Sequence, residues 1–298
     1  MILGIDPKVD YAFKLLLGRD ETQALLIEVL NGVLERPEGE RVESVQILNP
    51  FNPKAAWNDK LSIVDVRARD QSDRWFNVEM QILSRPSFAS RIVYYAAKTF
   101  QQQLHEGDGY EKLRPTISIC FLNHVLFPAV PDYHLCFRLL ERTLRFPLTD
   151  DLEFHFFELP KFQKSAEQLG AGIEAWLYFL RHAEKMDTEA VPAALQTPSI
   201  LRALRELEMV TQDEIQRIRY EERVESQRAY NYDLRMSKQE GLQEGRQKGR
   251  QEEKVGSIRR LERMLGRPES PTERFGGLSL EELDRMAEDL ERQFHDKG

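Results

Sequence analysis

The sequence predicts a mixed α/β protein, a sheet core covered by helices with a helical extension at its C-terminal end. Three observations predict it. Apolar residues recur at helical spacing over residues 8–34, and from Val42 the apolar period shortens to two through most of the next hundred residues. Beyond Thr211 large apolar residues thin out, and Glu, Gln, Arg and Lys take over.

The elements follow in order. Phe13, Leu16, Leu17, Leu25, Leu26, Val29, Leu30 and Val33 mark the first helical segment, interrupted near Gly18, with Asp6 as N-cap and Pro7 at the first helical position. The runs "VESVQIL", "LSIVDVRAR", "WFNVEMQIL" and "TISICFL" are strands, and a helix over residues 90–104 separates the last two. Two more strands, "YHLCFRLLE" and "LEFHFFELP", flank a turn from Pro147 to Asp151. A helix over 166–182, with Trp176, Leu177, Phe179 and Leu180 on its apolar side, closes the core.

This order divides the chain into a core domain at 1–185, a linker and helix at 186–210, a charged helical stalk at 211–265 and a helical hairpin segment at 266–298. Within the stalk, "EGLQEGRQKG" places Gly241, Gly245 and Gly249 four apart, on one stripe of a helix.

Composition sets the class. At 298 residues there is room for one sizeable domain and an appendage. The net charge of −8 excludes a chain coated in positive charge, though local basic patches can still steer a polyanion. No apolar stretch reaches membrane-spanning length and the start lacks a basic segment followed by an apolar one, so the expectation is a cytoplasmic protein with no membrane partner. Cys120 and Cys136 sit in apolar strand runs and read as small core hydrophobes. The six histidines, His134 and His155 among them, lack metal-ligand spacing.

The chemistry concentrates in "DVRARDQSDRWFNVEMQ". Asp65 and Glu79 are poor strand residues placed inside strand runs. If the two runs pair as a hairpin about the polar turn, its centre falls near Ser72 and Asp65 lies opposite Glu79. Opposed side chains have Cβ atoms roughly 4.5–5.5 Å apart, where two carboxylates repel unless a cation sits between them. Such a pair suits a hard divalent ion. The same pattern also suits the wet face of a half-exposed hairpin, with Asn77, Glu79 and Gln81 turned outward.

Five ordered blocks, "DYAFKLLLG", "LSIVDVRARD", "NVEMQ", "RIVYYAAKTFQQQLHEGDGYEKLRPTISICFL" and "LTDDLEFHFFELPKF", resemble the PD-(D/E)xK nuclease superfamily, in particular its branch of recombination-promoting nucleases and transposases. The resemblance implies a restriction-endonuclease-like core: a helix, a three-strand meander, a helix and a strand, with extra strands. It implies a hydrolase, a DNA endonuclease using Mg²⁺ or Mn²⁺, with Asp65 and Glu79 as metal ligands and Asp65, Glu79 and Gln81 as the catalytic set. Gln81 stands where many members carry lysine, so it brings hydrogen bonds but no charge.

Asp10, in the first matching block, is an auxiliary candidate, although a first-turn acid also suits the helix dipole. Arg91, Tyr94 and Lys98 are auxiliary candidates for phosphate contact, or equally a solvated helix face. DNA is the implied partner, and the C-terminal helical segment the expected route to a homo-oligomer. Two other readings stand beside this one: a catalytically weak or inactive nuclease-fold module for DNA binding or assembly, and a helical scaffold centred on the stalk.

Overall fold

The computed structural model describes residues 1–49, 65–83 and 87–295, and within them the six apolar runs form a single mixed sheet. Its strands are β1 (Val45–Ile47), β2 (Val66–Asp70), β3 (Trp75–Gln81), β4 (Thr116–Leu122), β5 (His134–Arg138) and β6 (Leu152–Glu158), in the order β1-β2-β3-β4-β6-β5. Residues 61–64 of the expected second strand lie outside the described residues. Strands β1, β2 and β3 run antiparallel to their neighbours, β3, β4 and β6 run parallel, and β5 returns antiparallel at the edge. All seven residues of β4 are buried, which is why this central strand reads as a largely apolar run, with Thr116 and Ser118 its polar members.

Helices cover both faces. The helix α1 (Asp10–Leu17) and α2 (Gln23–Leu34) are separate, α1 ending at Gly18, whose N–H bonds the Lys14 carbonyl at 2.8 Å. Asp6 is not the cap of α1. Its carboxylate accepts the Lys8 N–H at 2.9 Å and its carbonyl accepts the Val9 N–H at 3.1 Å, so Asp6-Pro7 forms a turn and α1 starts three residues later than Pro7.

On the opposite face, α3 (Phe88–Gln101) packs Phe88, Ile92 and Ala96 against Cys120, Leu122, Phe154 and Phe156. The expected helix over 166–182 is a short 3-10 turn at Ala166–Gln168 followed by α4 (Glu174–His182). Gly172 lies between them at φ +80, a backbone angle that breaks a right-handed helix and suits glycine. Gly32 of α2 faces this turn so closely that a Cβ there would meet the Ile173 nitrogen at 3.0 Å.

The helix α5 (Pro198–Gln212) has Thr197 as N-cap, accepting the Ile200 N–H at 3.2 Å, and proline at its first position. Its Ile200, Ala203, Leu204, Leu207 and Val210 are buried in the same core as α1, α2 and α4. A division at residue 185 therefore does not separate this helix from the sheet. The chain forms one compact unit over Met1–Ser226 and a second from Gln227 onward.

A charged helix, α6 (Glu214–Met264), starts in the first unit, where Tyr220 is buried and its hydroxyl accepts the Asp6 N–H at 2.8 Å. In the second unit a 3-10 turn at Thr272–Phe275 leads to α7 (Leu280–His295), and Ile258, Phe275, Leu283 and Ala287 make a small core. No helix among the described residues is long and apolar enough to cross a membrane.

Candidate active site

The pairing Val66↔Val78, Arg67↔Asn77, Ala68↔Phe76 sets the register of the β2–β3 hairpin. One step beyond it, at the mouth of β2, stands Asp65, aligned with Glu79. Asp65 turns its carboxylate toward β3, where Oδ2 accepts the Met80 N–H at 2.8 Å. The first helix closes over this carboxylate: Lys14 Nζ lies 3.7 Å from Asp65 Oδ1 and 3.6 Å from Asp10 Oδ2 one turn earlier on α1. Asp10 also faces Arg223, at 4.0 Å.

Burial pushes the Asp65 carboxyl up to about 6, against the Lys14 ammonium and the Met80 N–H, which favour its charge, while Asp10 adds repulsion. Burial is the largest of these effects and outweighs the rest. The carboxylate oxygens of Asp65, of Glu79 one strand across and of Asp10 behind Lys14 are donors of the kind a hard divalent cation takes.

Glu79 and Gln81 belong to a row with Asn77 that the wet-hairpin reading would turn outward. All three are buried instead. They face α3, which bonds Asn77 through Thr99 at 3.2 Å and Glu79 Oε1 through Arg91 Nη2 at 2.5 Å. The same Arg91 nitrogen donates to Gln81 Oε1 at 2.9 Å, and Gln81 Nε2 donates to the Leu83 carbonyl at 2.7 Å. Arg91 lies over the Phe88 ring, 5.2 Å from its centroid. Next to Glu79 a narrow cleft is lined by Ile92, Tyr95, Ser118 and Cys120.

The structure thus brings Asp65 and Asp10 together around Lys14 beneath α1, and Glu79 and Gln81 together around Arg91 beneath α3. It leaves Tyr94 and Lys98 exposed on α3, Tyr94 in edge contact with Tyr95 at 5.3 Å between centroids. Lys14, beside Asp65 and Asp10, and Arg223, beside Asp10, were not singled out from the sequence. The signal for Lys14 was present, four residues after Asp10 on one helix face.

A mixed sheet with helices on both faces and an acidic hairpin capped by the first helix defines a PD-(D/E)XK nuclease-like protein. Comparison with known families gives the same answer: the model of the PD-(D/E)XK nuclease family transposases matches residues 7–239, and the chain belongs to that family. No curated protein and no solved structure matches the chain.

Proposed function

We propose that the protein is a divalent-metal-dependent DNA endonuclease that hydrolyses phosphodiester bonds, with Asp65, Glu79 and Gln81 as its catalytic residues. The observation that carries this reading is the alignment of Asp65 with Glu79 across a register fixed by Val66↔Val78, with Asp65 bonded to the residue after Glu79.

Asp65 and Glu79 would hold the cation, Mg²⁺ or Mn²⁺. When bound, the ion supplies Lewis acidity toward a phosphoryl oxygen and lowers the pKa of water. The chain's own residues do the rest. Gln81, anchored by its amide to the Leu83 carbonyl, presents its oxygen where it can orient a water. Arg91, a guanidinium beside both Glu79 and Gln81, brings from α3 the positive charge that Gln81 lacks, at a place suited to a phosphate on which negative charge develops. Exposed Lys98 and Tyr94 extend the same helix toward a backbone phosphate.

Outside the active site, the charged α6 from residue 227 onward would pair between chains in a homo-oligomer. It carries exposed Tyr232 and Leu242, and open space surrounds Gly241, Gly245 and Gly249. The nuclease family supports a cytoplasmic protein acting on DNA.

A second reading, a catalytically weak module that only binds DNA or assembles, is favoured by Arg91, because its guanidinium already satisfies the two groups that a metal and a water would use. Nicking of supercoiled plasmid separates the readings. Wild type should nick in Mg²⁺ or Mn²⁺ and stop in chelator, and Glu79→Gln should not nick. Wild type that binds plasmid without nicking it in either ion assigns the second reading.

A further inference from the structure

The edge of the sheet far from β2 holds a second constellation. Strands β5 and β6 pair with Cys136 directly opposite His155, and Glu153 lies two residues before His155 on the same face of β6. One ligand atom from each of Cys136, Glu153 and His155 lies within 4.8 Å of the other two. The strand runs do not announce this, because the three residues meet only through the pairing of β5 with β6.

We propose that Cys136, Glu153 and His155 bind a zinc-class divalent ion, with His134 positioning the His155 ring and a fourth coordination place open to solvent. The donor set is the first argument. A thiolate, an imidazole and a carboxylate suit Zn²⁺, which takes sulfur and nitrogen as readily as oxygen; Mg²⁺ takes oxygen donors. The site is therefore chemically distinct from the Asp65 and Glu79 carboxylates.

Orientation is the second argument. His134 Nε2 lies 2.9 Å from His155 Nδ1, and the His134 ring is stacked on Phe157 with centroids 4.1 Å apart. His155 Nε2 in turn points at Glu153 Oε1, 2.6 Å away. Without metal, a proton on His155 Nε2 satisfies this contact and His155 Nδ1 accepts from His134. With metal, His155 carries its proton on Nδ1 and donates it to His134 Nε2, whose own proton moves to His134 Nδ1; His155 Nε2 turns its lone pair to the ion, and the Cys136 thiol releases its proton to solvent. An imidazole ligand whose other nitrogen is held by a fixed partner is the usual support of a zinc site. Ligand atoms around Zn²⁺ stand about 3.4–3.8 Å apart, so the Glu153 and His155 pair opens slightly and Cys136 closes in.

Access and charge complete the case. Glu153 and His155 are buried while Cys136 is exposed at the edge strand, so an ion can enter from that side. Arg138 and Arg36 lie 2.8 and 3.6 Å from Glu153 Oε2, which leaves Oε1 for the metal. Their charge lowers the affinity, and the thiolate formed on binding offsets part of it.

The test uses the full chain titrated with Co²⁺, whose bond to thiolate gives a charge-transfer absorption. One equivalent should develop the band, Zn²⁺ should abolish it, Mg²⁺ should not, and Asp65→Asn should leave it intact. Cys136→Ala, at an exposed position that the fold tolerates, should lose the band. His134→Phe, which keeps the stack on Phe157, should weaken binding about 10- to 100-fold. No band with excess Co²⁺ overturns the site. So does a band that survives in Cys136→Ala, which would come from Cys120, the other cysteine of the chain. Unchanged affinity in His134→Phe overturns the positioning role.

Discussion

Arg91 and Glu79 are joined across 2.5 Å, the guanidinium reaching down from α3 to a carboxylate buried in β3. This pair puts a positive charge of the protein's own at the place where a catalytic cation is proposed to bind. Removing the guanidinium from a largely buried pair costs about 3 kcal/mol. Arg91→Met should lose that much stability in a urea melt without metal. Millimolar Mg²⁺ should restore part of it and shift the variant's melting temperature more than the wild type's. An equal shift in both proteins would place the cation away from Glu79.

The raised Asp65 carboxyl makes a pH prediction with a definite sign. Below pH 3.8 both the folded and the unfolded chain hold the proton, and above about 6 neither does. Between these limits the folded chain alone holds it, so its contribution to stability falls as pH rises from 3.8 to about 6. Asp65→Asn keeps an oxygen for the Met80 N–H and removes the charge. It should be more stable than wild type at pH 7 without metal, by about 3 kcal/mol at most, and equal to it near pH 4. Greater stability of the wild type at pH 7 would refute this.

Gln81 offers a test of where the missing positive charge resides. Gln81→Lys would bring an ammonium against the Arg91 guanidinium that now donates to Gln81. Alone it should gain little, and combined with Arg91→Gln it should nick plasmid at least as fast as wild type. Gln81→Ala should slow nicking, and Glu79→Gln should abolish it. One time course in Mg²⁺ compares the set, and full activity of Arg91→Gln with native Gln81 would remove Arg91 from the catalytic account.

Close approach of paired α6 helices predicts the effect of filling the glycine stripe. Replacing Gly241, Gly245 and Gly249 by alanine stabilises an isolated solvated helix by about 1 kcal/mol per site. In a helix pair that uses the stripe, the same change should raise the dissociation constant measured by sedimentation. Tighter or unchanged association together with a higher melting temperature would sink the glycine contact. A full-length chain that sediments as a monomer at micromolar concentration would sink the homo-oligomer itself.

The hairpin register was legible in the sequence because it depends on local rules alone: a period of two and a turn centre near Ser72 suffice to align Asp65 with Glu79, and Val66↔Val78 extends to that alignment. The strand β4 was legible for a related reason, since burial on both faces favours a run that is apolar but for small Thr116 and Ser118. Which face of β3 meets protein was not legible. Alternation assigns Asn77, Glu79 and Gln81 to one side of the sheet, and only the docking of α3 through Ile92, Arg91 and Thr99 decided that this side is buried. Helix breaks divided likewise: Gly18 shows in the sequence, whereas Asp6 and Pro7 look like a helix start until the turn they form is seen.

The sequence by itself determined most of the elements, the acidic hairpin and the family resemblance, because propensity, period and turn chemistry act over a few residues. Tertiary structure decided the partners of each charge. Lys14 meets Asp65 through the packing of α1 on the sheet, and Cys136 meets His155 through the pairing of strands whose long connection leaves register free. Such contacts depend on how separate segments pack together, and no local rule of period or turn chemistry joins the members of either pair.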